Sequence, residues 1–170
     1  AITALFDFFC AFPRVGHAWI FAVLAAIEAP IGTVNVIKAM YTKVKAFMQV
    51  GGVLKFLFWV SSGVLTGCPL SAIIFNWTIY PLLWHFSFQE CFAKLGRVYA
   101  CADDLAAVMQ QLLGLKAMYQ FFKLFANASK MVLHPKKCII ILTSAHATDA
   151  VCALVRKWLE VNIPEWKSFV

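Results

Sequence analysis

Metal-binding and disulfide spacings are missing from this chain. Its six cysteines, at 10, 68, 91, 101, 138 and 152, form no Cys-x-x-Cys pair and no regular framework, and His17, His85, His134 and His146 add no zinc spacing. That argues against a zinc ribbon or a disulfide-stapled scaffold and predicts cysteines that act as small buried hydrophobes in a reducing compartment. Acids are scarce too, with 8 Asp and Glu against 15 Lys and Arg, a formal charge of +7. Nine of the bases lie between Lys94 and Lys157, so the second half suits a polyanion such as nucleic acid, or an anionic membrane surface. No internal repeat, low-complexity tract or linker divides the 170 residues, enough for one domain with a real core. The first residue is Ala and no basic segment precedes an apolar one. A cleaved signal peptide is therefore not indicated, and truncation of a longer chain is expected.

Apolar residues, by contrast, are in excess: 62% of the chain is hydrophobic, with 16 Phe and 6 Trp. Such a composition fits a membrane protein or a piece of a larger fold whose neighbouring surfaces are absent. Residues 56–84 carry no charge over 29 positions, long enough to span a bilayer. Inside that run, however, lie Ser61-Ser-Gly-Val-Leu-Thr-Gly-Cys-Pro-Leu-Ser71, Asn76 and Pro81. Leu70, Ile73, Ile74 and Trp77 then recur at helical spacing, so the pattern predicts a buried core helix after a glycine-containing loop rather than a span.

Punctuation gives the remaining elements. Residues 2–8 read as a strand, 12–16 as a turn, 17–28 as a helix, 29–32 as a break and 33–49 as a second helix carrying Lys38, Lys43 and Lys45, with a loop from Gly51. After the central helix, 96–101 and 105–109 read as two strands joined by a tight connection, 110–126 as a helix, 134–137 as a basic turn, 138–143 as a short strand and 149–160 as a final helix. The expected architecture is one α+β domain in which helices pack on an antiparallel sheet.

Into these apolar segments the chain places three acids. Cys-Ala-Asp-Asp occupies 101–104, and Asp7 sits inside Ile2-Thr-Ala-Leu-Phe-Asp-Phe-Phe. An unpaired buried charge costs several kcal/mol or is neutralised, and a bound divalent metal is the simplest common explanation for all three.

Four ordered blocks carry a resemblance. Leu5-Phe-Asp-Phe-Phe-Cys-Ala-Phe12, Ser62-Gly-Val-Leu-Thr-Gly-Cys-Pro-Leu-Ser71 with Phe75-Asn76, Tyr99-Ala-Cys-Ala-Asp-Asp-Leu105 and Leu133-His-Pro-Lys-Lys-Cys-Ile139 resemble, in order, four palm motifs of reverse transcriptases, most similar to those of non-LTR retrotransposons. Thr66 stands where the second block usually has Gln, and Cys101 where the third usually has an aromatic. The resemblance implies a polymerase right-hand fold that is incomplete, with residues 1–148 a palm segment and 149–170 an extension toward a thumb. Fingers before the first block and the thumb after the fourth would belong to a longer polyprotein.

Its implied activity is RNA-templated DNA synthesis from deoxynucleoside triphosphates onto a DNA primer, inside the cell (cytoplasm or nucleus) and with no membrane partner. Two Mg²⁺ ions, replaceable by Mn²⁺, would be held by Asp7 and Asp103, with Asp104 in a less direct role. Phe12 would lie under the nucleotide sugar, Thr66, Gly67 and Pro69 would shape the loop under the templating pair, and Lys137, ahead of Lys136, would meet the triphosphate. Two alternatives are a nucleic-acid-binding remnant without catalysis, suggested by the charge and Thr66, and a small integral membrane protein, suggested by residues 56–84.

Overall fold

Short-range pattern decides most of the elements seen in a computed structural model, which describes residues 1–88, 92, 94, 96–143, 146 and 148–169. In chain order these are β1 (Ile2–Phe6), α1 (Ala11–Arg14), α2 (His17–Ala26), α3 (Ile31–Tyr41), β2 (Val44–Val50), β3 (Val53–Val60) and α4 (Ser71–Phe88). They continue as β4 (Gly96–Cys101), β5 (Asp104–Met109), α5 (Leu113–Ser129), β6 (Ile139–Leu142), α6 (Asp149–Asn162) and a 3₁₀ turn, Pro164–Trp166.

The central sheet has the order β4-β5-β1-β6 and is antiparallel throughout. Alternation sets its two faces. Ile2, Ala4, Phe6, Leu105, Ala107, Met109 and Ile140 turn inward and are buried, while Leu5, Tyr99, Val108, Ile139 and Ile141 stay exposed on the other side. The inward face shares one core with Ile20 and Leu24 of α2, Ile74, Phe75, Ile79, Leu82 and Phe86 of α4, and Leu115, Met118, Phe122 and Phe125 of α5. This is the α+β arrangement that the sequence pattern predicts.

Pro81 lies inside α4, where its ring removes one backbone donor. Nearby, the Thr78 hydroxyl donates to the Phe75 carbonyl at 2.7 Å and the Trp19 indole N–H donates to the Thr78 carbonyl at 2.9 Å. The indole bond fastens α4 to α2 beside the proline, while the carbonyl that loses its helical donor is that of Trp77.

Two expectations are corrected. The helix predicted over 33–49 ends at Tyr41, and its second half is strand β2, paired with β3 in a separate two-stranded sheet. Gly51 and Gly52 have φ of +56° and +82°, the pair of positive values that a tight two-residue hairpin turn requires. This hairpin also divides the uncharged run 56–84 between a strand, a loop and α4, and no helix among the described residues is long and apolar enough to cross a membrane. The second correction concerns cysteine: of the five described, all free, only Cys138 is buried, while Cys10 and Cys101 are exposed at a helix start and a strand end. Cys91 and Val170 lie outside the described residues.

The C-terminal segment joins the main core. Trp166 stacks on Phe169 with centroids 4.9 Å apart and lies 5.4 Å from Phe6, and the Ile140 N–H donates to the Phe169 carbonyl at 2.7 Å.

Candidate active site

Asp7 follows directly on β1 and is held by its neighbours. Phe6 packs on Phe122 and Trp166, Phe8 packs on Phe122 and Phe125, and both are buried. With two aromatic anchors driven into the core, alternation leaves the Asp7 side chain to the opposite face. Its backbone carbonyl accepts from the His134 N–H at 2.8 Å and, weakly, from the Cys138 thiol at 3.8 Å. The fourth block is thereby fastened to the first.

Lys137 sits in the turn just before β6, its Nζ 3.4 Å from Oδ2 of Asp7. That oxygen has almost no solvent-exposed surface and no hydrogen-bond partner, so the lysine faces it as a charge only. The lysine side chain is 66% exposed against 23% for the aspartate, and a pair with so exposed a member contributes at most about 1 kcal/mol. Burial, against which the Asp7 and His134 backbone contacts work, pushes the Cys138 thiol up to about 11. Cys138 is therefore a neutral packing group beneath the site.

The aspartate pair lies at the tip of the β4–β5 hairpin. Cys101 pairs with Asp104, so Ala102 and Asp103 form the two-residue turn. Ala102 has φ of +53°, a left-handed conformation that costs a residue with a Cβ about 1–2 kcal/mol. One step beyond the last β1–β5 pair, Phe6 with Leu105, stand Asp7 and Asp104.

An open cleft of about 420 Å³ is lined by Asp7, Asp104 and Lys137 together with Leu5, Tyr99, Cys101 and Ile139. It brings the first, third and fourth blocks together. Asp104 lines it, and Asp103 stands half-buried in the turn beside it.

Phe12, Thr66, Gly67 and Pro69 lie outside this cleft. Phe12 stacks on Phe75 with centroids 4.2 Å apart and planes at 17°. Thr66, Gly67 and Pro69 are exposed. Gly67 has φ of +80° but nothing within 4 Å of where a Cβ would stand, so within the chain it is backbone conformation, not close approach, that calls for glycine there. Close approach belongs to Gly63, where a Cβ would meet the Pro13 carbonyl oxygen at 2.9 Å.

Residues around Gly63, in the second block, form another group, and the part that His17 and Tyr41 play in holding it is one that sequence reasoning does not single out. The Gly63 N–H donates to the Val15 carbonyl at 2.8 Å, and the Val64 N–H to the Phe12 carbonyl at 2.9 Å. His17, buried, holds the Gly63 carbonyl through Nε2 at 3.0 Å and meets Tyr41 edge-on at 5.1 Å. The Tyr41 hydroxyl accepts from the Leu65 N–H at 3.1 Å. The second block is thus tied to the residues that follow Asp7, and the only sequence signal of this was one histidine and one tyrosine in apolar helices.

Among the described residues no three His, Cys, Asp or Glu side chains form a cluster able to hold a metal alone. What the cleft offers is hard carboxylate oxygens, one of them withdrawn from solvent without a donor, a donor chemistry that fits Mg²⁺ completed by substrate phosphates.

Comparison with known proteins bears on the family and the fold. The family described as reverse transcriptase (RNA-dependent DNA polymerase) matches residues 1–163. The chain is similar to the retrovirus-related Pol polyprotein from the type-2 retrotransposable element R2DM of Drosophila melanogaster, 30% identical over 135 residues that make up 77% of this chain and 13% of that polyprotein. Among solved structures it is similar in fold to apo telomerase from Candida tropicalis, with a TM-score of 0.71 at 12% identity over 87% of this chain and 30% of the other. Telomerase from Candida albicans in complex with the TWJ fragment of telomeric RNA gives 0.63 at 12% identity over 84% and 28%.

Proposed function

Because the chain belongs to the reverse transcriptase (RNA-dependent DNA polymerase) family, we propose that its cleft carries out nucleotidyl transfer from a deoxynucleoside triphosphate to a primer 3′-hydroxyl on an RNA template. The observation that carries this reading is the convergence of Asp7, Asp104 and Lys137 in one cleft, with a buried Asp7 oxygen that faces the lysine charge but accepts no hydrogen bond. Residues 1–148 would serve as the palm and 149–170 would lead toward a thumb, within a longer retroelement polyprotein acting inside the cell.

In the reaction the primer oxygen bonds to the α-phosphorus, the bond to the β-phosphate breaks, and pyrophosphate leaves. Asp7 with the Asp103–Asp104 pair would hold two divalent ions. When bound, those ions supply activation of the hydroxyl and neutralise charge building on phosphate oxygens. Lys137, exposed at the cleft edge, would turn from Asp7 to the triphosphate and stabilise the leaving pyrophosphate. Phe12 would bear on the sugar, and Thr66, Gly67 and Pro69 would form the exposed loop under the templating base.

The test is RNA-templated primer extension with Mg²⁺, using a chimera in which this chain replaces the matching segment of the Drosophila relative. Asp7→Asn, Asp103→Asn and Asp104→Asn are each expected to lower incorporation at least about 100-fold, and double variants to fall little further, since residues acting as a unit are not additive. Lys137→Ala is expected to slow the chemical step while leaving Mn²⁺ affinity unchanged. An active parent with near-normal rates from Asp7→Asn would sink the metal-site reading. The +7 charge together with Thr66 in place of the usual Gln favours, as a second reading, a remnant that binds nucleic acid without catalysis. An inactive chimera that still binds RNA would support it.

A further inference from the structure

We propose that one face of the β2–β3 hairpin is a stacking platform for single-stranded nucleic acid. The register places Ala46 opposite Phe58 and Phe47 opposite Phe56, so Leu57 is an extra residue with no partner. This bulge brings Phe56 and Trp59, three positions apart, to the same face. Their rings lie 5.7 Å apart, Phe47 lies 6.1 Å from Phe56, and Lys45 Nζ stands 5.0 Å over the Trp59 ring. The result is a row of three rings ending in a cation.

All three rings are about half exposed, at 51% for Phe47, 49% for Phe56 and 53% for Trp59. So large an uncovered aromatic strip marks an interaction surface. Its charge identifies the partner. No acidic residue occurs from 29 to 89, whereas Lys45 stands on the ring-bearing face and Lys38 and Lys43, just before β2, are exposed. Rings with cations and no acid match a ligand that offers π-faces and phosphates together, and only an unpaired strand has its base faces free. The opposite face, with Val44, Met48 and its partner Lys55, Val50, Val53 and Phe58, has a cation but lacks such a ring row.

This inference deepens the polymerase reading and rests on it for the substrate class, the bound strand being template or primer outside the duplex. It predicts binding at a site separate from the carboxylate cleft. The experiment is fluorescence anisotropy of a labelled oligouridine RNA titrated with the 170-residue chain, without metal or triphosphate, across a salt series. Trp59→Ala and Phe56→Ala are expected to weaken binding roughly tenfold, Trp59→Phe to retain most of it, and Phe58→Ala on the other face to leave it unchanged. Lys45→Gln is expected to lower the log–log salt slope by about 0.7.

RNA binding that ignores Trp59 and Phe56 would overturn the platform while leaving the polymerase reading standing. So would equal losses from both faces. A Trp59→Ala chain that binds RNA normally but no longer self-associates would show a protein interface instead. Failure of the parent to bind RNA at all would count against both readings, whereas platform-dependent binding with no incorporation by the chimera would remove the polymerase reading alone.

Discussion

At Cys138 a single side chain couples the site to stability. The thiol lies under Asp7, buried, and its burial raises it from an ordinary 9.0 to about 11. In the unfolded chain it gives up its proton near 9, while the folded chain keeps it to about 11, so the unfolded state binds fewer protons across that interval and stability falls as pH rises. The contribution is fully present below pH 9 and is lost through the folded value, on the order of 2 kcal/mol by pH 11. Urea unfolding at pH 8, 9, 10 and 11 is expected to show this loss in the parent and a shallower one in Cys138→Ala. Parallel profiles for the two proteins would mean that burial does not hold the thiol neutral. At this scale the sequence was a good guide to which residues carry charge in apolar segments, Asp7 and the 103–104 pair among them. Orientation is not written in adjacency, since which of Asp103 and Asp104 falls in the turn and which opens β5 depends on the pairing of β5 with β4 and β1.

Among the elements, glycines separate two kinds of constraint. Gly96 begins β4, and a Cβ there would stand 2.1 Å from the Val108 carbonyl oxygen, a backbone atom that cannot move without breaking the β4–β5 ladder. Gly67 has open space and only its φ of +80° to satisfy. Gly96→Ala should therefore destabilise the chain by more than about 3 kcal/mol, and Gly67→Ala by about 1–2 kcal/mol. Chemical denaturation of the two variants checks the order, and comparable losses would contradict it. The same scale shows why β2 escapes a sequence reading. Lys43, Lys45, Ala46, Met48 and Gln49 are compatible with helix, and the strand exists because the glycine pair at 51–52 folds Val53–Val60 back on it. β1, β4, β5 and β6 were legible because apolar alternation and tight turns coincide there, whereas β2 depends on its partner.

Over the whole molecule, the aromatic excess that suggests a membrane protein is used in two ways. Part of it is interior: Phe6, Phe122, Trp166 and Phe169 form a contiguous ring cluster that joins β1, α5 and the C-terminal turn. Part is left outside, on the β2–β3 hairpin and at Tyr80, Trp84 and Phe88 of α4. Composition cannot distinguish these uses, because it counts rings without saying which ones the sheet and helices enclose. The interior cluster leads to a prediction about cooperativity. Trp166 is 3% exposed and lies against Phe6, whose next neighbour in sequence is Asp7. Trp166→Ala would leave a cavity beside the strand that carries the first carboxylate, at about 3–5 kcal/mol. If the C-terminal segment belongs to the same cooperative unit as the sheet, that variant should unfold in one transition at lower denaturant, with Trp166→Phe falling between it and the parent. A separate early transition, with the sheet melting at the parent's midpoint, would show instead that the C-terminal segment is an appendage, and that Asp7 is positioned by β1, α5 and the fourth block alone.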